Sequence, residues 1–178
     1  MNKYGGLILI LMVSVLVLLA GCSDSTGGVA APGLSITEQI SKRYLLKAEP
    51  EEVLDVIAAR ESSKNNDEVV VIGRIGGDLK PFVDSMAAFQ IVDNSLVACS
   101  DNEHSSCPTP WDYCCETDKL PGAMAFVRFN DEQGNVQMVS AKSLFSVKEL
   151  STVVVKGVAK RDDAGNLTIF ADGIYVRK

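Results

Sequence analysis

Residues Val153–Val176 read VVVKGVAKRDDAGNLTIFADGIYV, and this stretch decides the fold. TVVVKGVAK and LTIFADGIYV are two runs rich in β-branched and aromatic residues, parted by RDDAGN, where Gly165-Asn166 supply the conformations a tight turn needs. The pattern predicts a terminal β-hairpin. Working back along the chain, AKSLFSVKEL predicts a short helix, and AMAFVRF and VQMVSA predict a hairpin around NDEQGN. MAAFQIVD predicts another strand, with a turn at Asn94-Ser95 and a short continuation, LVAC. EVVVIGRI, ending at Gly76-Gly77, predicts the first long strand. Before it the period is helical. Ile36, Ile40, Tyr44 and Leu45 recur at helix spacing, and Pro50-Glu51-Glu52 reads as a second helix start, with Val53, Leu54 and Ile57 as its apolar stripe and SSKNN as its end.

Several strands with a short helix before the last hairpin form the order of an OB-fold, a five-stranded barrel with a helix between strands three and four. The resemblance is most specific in VVVIGRIGG and in the Val153–Val176 hairpin, with Gly73 and Gly157 where a strand must bend hard. The expected fold is therefore mainly β, an OB-like barrel over 67–178, preceded by a helical segment over 36–66 and carrying a cysteine-rich loop, 99–118, between strands. A small Greek-key sandwich is the alternative. Gly73-Arg74-Ile75-Gly76-Gly77 lacks the spacing of a dinucleotide loop, and Pro81 stands where the following helix would run.

The first residues, MNKYGGLILILMVSVLVLLAGC, have the layout of a signal peptide: Lys3, an apolar run over Leu7–Ala20, then small residues. A membrane span needs about 20 apolar residues, more than this run has. Leu19-Ala20-Gly21-Cys22 resembles the lipobox of bacterial lipoproteins, which implies cleavage after residue 21 and lipidation of Cys22. Residues 22–35 then form a Gly/Ser/Ala/Pro-rich tether. The implied location is the bacterial cell envelope, anchored to the membrane by lipid. Ser23 rather than Asp after the cysteine leans towards the outer membrane. The whole chain also resembles uncharacterised bacterial lipoproteins that pair such a barrel with a PWDYCC segment, which implies compartment and fold but no activity.

Charge narrows the partners. Without the leader, 16 basic side chains face 23 acidic ones, a net −7. Nucleic-acid binding depends on Lys and Arg neutralising phosphates, so nucleic acid is not an expected partner. Between Phe82 and Asp118 there is no Lys or Arg, while Asp84, Asp93, Asp101, Glu103, Asp112, Glu116 and Asp118 are present. That segment should attract cations.

Within it lie Cys99, Cys107, Cys114 and Cys115 and the single histidine, His104. Four cysteines in an exported domain predict two disulfides, with Cys114 and Cys115 pairing outward to Cys99 and Cys107 in one order or the other. Each bridge would contribute on the order of 3 kcal/mol by restricting the unfolded chain. The pattern C-x4-H-x2-C-x6-C-C also permits a metal site built from Cys99, His104, Cys107, Cys114 and Cys115, with zinc or Cu(I) as the ion suited to such donors. A thiol activated by His104 is the third reading, and no further member of a catalytic set is identifiable. Trp111 and Tyr113 are either the plug of the loop's own small core or exposed platforms for a sugar or base. The functional expectation is a non-enzymatic binding or scaffold module without a cofactor. Its partners would be the membrane, through the lipid, and an envelope protein or small ligand. A metal-binding lipoprotein and an envelope thiol redox protein are the alternatives.

Overall fold

A computed structural model describes residues 34–102 and 106–178. The leader, Cys22, the tether as far as Gly33, and His104 lie outside the described residues. In chain order the elements are α1 (Ile36–Tyr44), β1 (Leu54–Asp55), α2 (Val56–Ser62), β2 (Glu68–Ile75), β3 (Ala88–Val92), α3 (Leu120–Ala123), β4 (Met124–Phe129), α4 (Ala141–Phe145), β5 (Thr152–Arg161) and β6 (Leu167–Val176).

Five strands close on themselves. β2 pairs antiparallel with both β3 and β5, β3 pairs antiparallel with β4, β4 runs parallel to β6, and β6 returns antiparallel to β5. This is a mainly β, five-stranded OB-like barrel, and β1 adds one short parallel strand outside β2. Pairing of β2 with β5 from Glu68 to Arg74 joins the two ends of the sheet, so the sandwich alternative, with two separate sheets, does not hold. α4 lies between the third and fourth barrel strands, as the sequence order predicts.

Alternation explains why these segments close. Val69, Val71 and Ile75 of β2 turn inward, as do Ala125, Val127 and Phe129 of β4, and Leu167, Ile169 and Ala171 of β6. Phe145 of α4 and Tyr44 of α1 plug one end against Phe129, with ring centroids 4.6 and 5.1 Å apart. The Tyr44 hydroxyl donates to the Asn130 carbonyl at 2.6 Å, so its polar end is satisfied. Truncating Phe129 to alanine would cost about 3–5 kcal/mol.

Gly157 is the bend the sequence predicts. The β5–β6 register shifts between Lys156 and Gly157, and a Cβ there would collide with the Phe170 carbonyl. Gly165, at φ +79°, makes the hairpin turn, while the Asp162 carboxylate accepts from the Ala164 and Asn166 backbone N–H groups. Ser35 and Glu38 form a reciprocal cap at the start of α1.

Three expectations fail for tertiary reasons. α2 begins at Val56 rather than Pro50, because Leu54 and Asp55 are drawn out as a strand against Val71 and Ile72. LVAC does not continue β3. Asp93 and Ala98 start hydrogen-bonded turns there instead, and Cys99–Asp101 forms a 3₁₀ turn. VQMVSA makes a single bridge, Asn130 to Val136, and then crosses the barrel end, where Ala87 N–H donates to Gln137 and Ala141 N–H to Met86.

A candidate metal centre in the cysteine loop

The loop between β3 and β4 is built on a second, small core. Val92, Leu96, Ala98, Tyr113, Leu120 and Ala123 are buried together outside the barrel. Asp93, itself buried, holds the loop's root. Its carboxylate accepts from the backbone N–H of Ile57 at 2.8 Å, which caps α2, and from the N–H and hydroxyl of Ser95. Burial alone would raise its pKa. These hydrogen bonds more than offset that and hold it below the usual carboxylate range.

The 3₁₀ turn at Cys99 is pinned by an ion pair between Arg74 of β2 and Asp101. The Arg74 hydrogen bond holds the Asp101 carboxyl low. Cys99 is thereby fixed with its side chain fully buried.

Thr109 to Cys114 form a knuckle whose geometry is written into TPWDYC. Pro110 starts a 3₁₀ turn over Pro110–Asp112, and Tyr113 closes it in the left-handed region at φ 55°. Asp112 locks the turn, since its carboxylate accepts from the Thr109 hydroxyl at 2.8 Å and from the Cys114 backbone N–H at 3.0 Å. The Tyr113 ring is fully buried in the small core, and its hydroxyl finds no hydrogen-bond partner among the described residues. Trp111 is half-buried, and its indole N–H donates to the Leu79 carbonyl at 3.2 Å. Of the two aromatics, Tyr113 fills the loop and Trp111 ties it to the turn after β2.

Gly76 and Gly77 explain why the knuckle lies where it does. Gly77 N–H donates to the Trp111 carbonyl at 2.8 Å. A Cβ on Gly76 would stand 2.6 Å from that carbonyl oxygen and 2.8 Å from the Tyr113 ring. The GRIGG stretch is a seat for the cysteine loop.

The knuckle turns Cys114 back towards the other sulfurs. Cys99 Sγ lies 3.3 Å from Cys114 Sγ and 3.8 Å from Cys115 Sγ, and Cys107 Sγ lies 3.9 Å from Cys114 Sγ. Among the described residues no two sulfurs are bonded as a disulfide, so the pairings expected from cysteine parity are not formed. An Asp112 oxygen joins Cys99, Cys107 and Cys114 within a set whose ligand atoms all lie within 4.8 Å of one another. This Cys/Asp cluster can hold a metal ion. Burial pushes the Cys99 thiol up, but hydrogen bonding from Cys114 and Cys115 outweighs it, so Cys99 ionises below its ordinary value. Cys114 and Cys115 are pushed up, chiefly by their hydrogen bonds with Cys99.

The sequence reading missed Asp112 as a donor and counted it only as charge. Its signal was the spacing Asp-x-Cys, which puts a carboxylate two residues before a thiol in a turn. No protein-family model matches the chain, and no curated protein matches it. Among the described residues no helix is long and apolar enough to cross a membrane.

Proposed function

We propose that this chain is a lipid-anchored, non-enzymatic binding module of the bacterial envelope whose loop binds one thiolate-seeking metal ion, zinc foremost. The observation that carries the reading is the spacing of the sulfurs. Four thiolates at about 2.3 Å from one zinc stand about 3.8 Å apart along each tetrahedral edge. The separations here are 3.3, 3.8 and 3.9 Å. A disulfide brings two sulfurs to about 2.05 Å. Cys99 Sγ contacts both Cys114 and Cys115, and Cys114 Sγ contacts both Cys99 and Cys107; sulfurs shared in this way favour one centre over paired bonds. The acidic character of the loop adds long-range attraction for a cation, and zinc, which has no redox chemistry, would protect the thiolates in an oxidising compartment.

The protein would reach the envelope by its leader and be held there by acyl chains on Cys22, since two or three chains give a stable anchor. The remaining cysteines then act on the outside of a barrel tethered to the membrane.

The test uses the full-length chain purified in mild detergent from a bacterial host. Elemental analysis should find one zinc or copper per chain, and thiol titration should reach four only after chelation. Metal-free protein with two disulfides in a non-reduced digest would replace this reading with the stapled loop, which the 3.8 and 3.9 Å pairs Cys99–Cys115 and Cys107–Cys114 also permit. Labelling with a palmitate analogue should mark the chain, and Cys22→Ser should abolish both the label and membrane partitioning.

A further inference from the structure

We propose that the cysteine centre is a metal-exchange site: Cys99, Cys107 and Cys114 hold the ion, Cys115 and Asp112 alternate in the fourth position, and an incoming thiolate or chelating ligand takes the ion from the exposed Cys114–Cys115 edge. The inference rests on the metal reading above and adds what the site does with its ion.

Two observations carry it. The first is a gradient of exposure across the donors. Cys99 is fully buried, Cys107 is half-buried, and Cys114 and Cys115 are exposed. A structural zinc centre is closed on every side. This one has a buried floor and two ligands in water, so a competing ligand can approach the ion without unfolding the loop.

The second is a surplus of donors. Tetrahedral zinc takes four ligands, and the mutually close set of Cys99, Cys107, Asp112 and Cys114 already supplies four, with the Cys115 sulfur beside it as a fifth donor. Cys115 reaches Cys99 at 3.8 Å, while Asp112 belongs to the set formed with Cys99, Cys107 and Cys114. The Asp112 carboxylate is held in place by the Thr109 hydroxyl and the Cys114 N–H. A carboxylate has about four acceptor positions, so those two bonds leave capacity for a metal. A carboxylate is also the weaker partner for a thiolate-seeking ion. Exchange is then ligand substitution with no change of oxidation state. The metal–sulfur bond to Cys115 breaks as a metal–oxygen bond to Asp112 forms, and the released thiolate takes a proton from water. The incoming thiolate next replaces the carboxylate, and the remaining bonds transfer in turn. The recipient is a soft-ligand acceptor of the same compartment, identified here by its chemistry alone.

The experiment loads the full-length chain with zinc and follows transfer to the chromophoric chelator 4-(2-pyridylazo)resorcinol by stopped flow over a range of chelator concentrations. The expected rate rises in proportion to chelator concentration, because the chelator attacks the bound ion. Cys115→Ser should still bind one zinc per chain, through Asp112 in the fourth position, and should transfer it several-fold faster. Asp112→Asn keeps Oδ1 for the Cys114 N–H and offers an amide N–H that the Thr109 hydroxyl can accept, so it should hold zinc with near-unchanged affinity and transfer it several-fold more slowly. A rate independent of chelator concentration would overturn the proposal, since it would mean that loop opening is limiting. So would a Cys115→Ser chain as empty as Cys99→Ser, or an Asp112→Asn chain that transfers at the original rate. Zinc that binds but fails these tests leaves the metal reading standing, whereas a chain that binds no zinc overturns both.

Discussion

Replacing Gly76 by alanine separates the barrel from the cysteine loop more cleanly than any cysteine substitution. The new Cβ would stand 2.6 Å from the Trp111 carbonyl oxygen and 2.8 Å from Cε2 of Tyr113. Carbon and oxygen settle at about 3.3 Å or more, so the Trp111 backbone must retreat by roughly 0.7 Å. Trp111 belongs to the turn that aims Cys114, and a metal site tolerates errors of only about 0.2 Å in its ligand distances. Gly77 N–H would also lose its 2.8 Å bond to the same carbonyl. Overpacking of this kind costs about 1–3 kcal/mol, which corresponds to roughly a 5- to 150-fold loss of zinc affinity when the strain is relieved by the metal-free loop. Competition with a chromophoric chelator reads the affinity, and circular dichroism reads the barrel. The expected result is weakened zinc binding with the β-sheet signal retained. A Gly76→Ala chain that binds zinc as tightly as the original would refute the idea that this glycine seats the knuckle.

Asp93→Ala removes the acceptor for Ile57 N–H, Ser95 N–H and the Ser95 hydroxyl. It should cost about 2–4 kcal/mol and lower Tm by roughly 5–15 °C in a thermal melt. An unchanged Tm would show that α2 does not depend on this cap. Tyr113→Phe deletes a buried hydroxyl that has no partner among the described residues, so it should leave stability unchanged or raise it by about 1 kcal/mol. A large loss would mean that the hydroxyl has a partner outside them. Asp93 and Asp101 both have folded pKa values below their ordinary ones. Their contribution is therefore present above the unfolded value of about 3.9 and is lost as pH falls through the lower folded values. Melts of metal-free protein should be flat from neutrality to about pH 5 and fall below about pH 4, less steeply in Asp93→Ala. A maximum of stability at acid pH would contradict the sign.

The barrel was legible because local chemistry and global closure agree in its strands. Alternation in EVVVIGRI and MAFVRF puts one face inside, and Gly157 and Gly165 stand where a bend and a turn demand them. The misread segments are those whose state is set by distant partners. Pro50-Glu51-Glu52 has the composition of a helix start, yet α2 begins where Asp93, far along the chain, can cap it. LVAC has strand composition, but Asp93 folds the chain into a turn first. In the loop, cysteine number and charge marked the segment in which the sulfurs cluster, and the convergence of Cys99 with Cys114 did not follow from spacing alone. It needed the αL turn at Tyr113 and the seat at Gly76. The role of Asp112 was hidden for the same reason. Trp111 and Tyr113 looked equivalent as sequence, and only the small core under the loop distinguishes the buried ring from the tie to Leu79.

In the proposed centre the sulfurs of Cys99, Cys107 and Cys114 hold the ion, with Asp112 in the same set and Cys115 beside it. X-ray absorption at the zinc edge of the full-length, zinc-loaded chain tests this arrangement most directly. The expected result is a dominant sulfur shell at about 2.3 Å with between three and four scatterers, falling to about three sulfurs and one oxygen at about 2.0–2.2 Å in Cys115→Ser. A shell of oxygen and nitrogen alone would contradict it, because the ion would then be held elsewhere on the acidic surface and not by the cysteines.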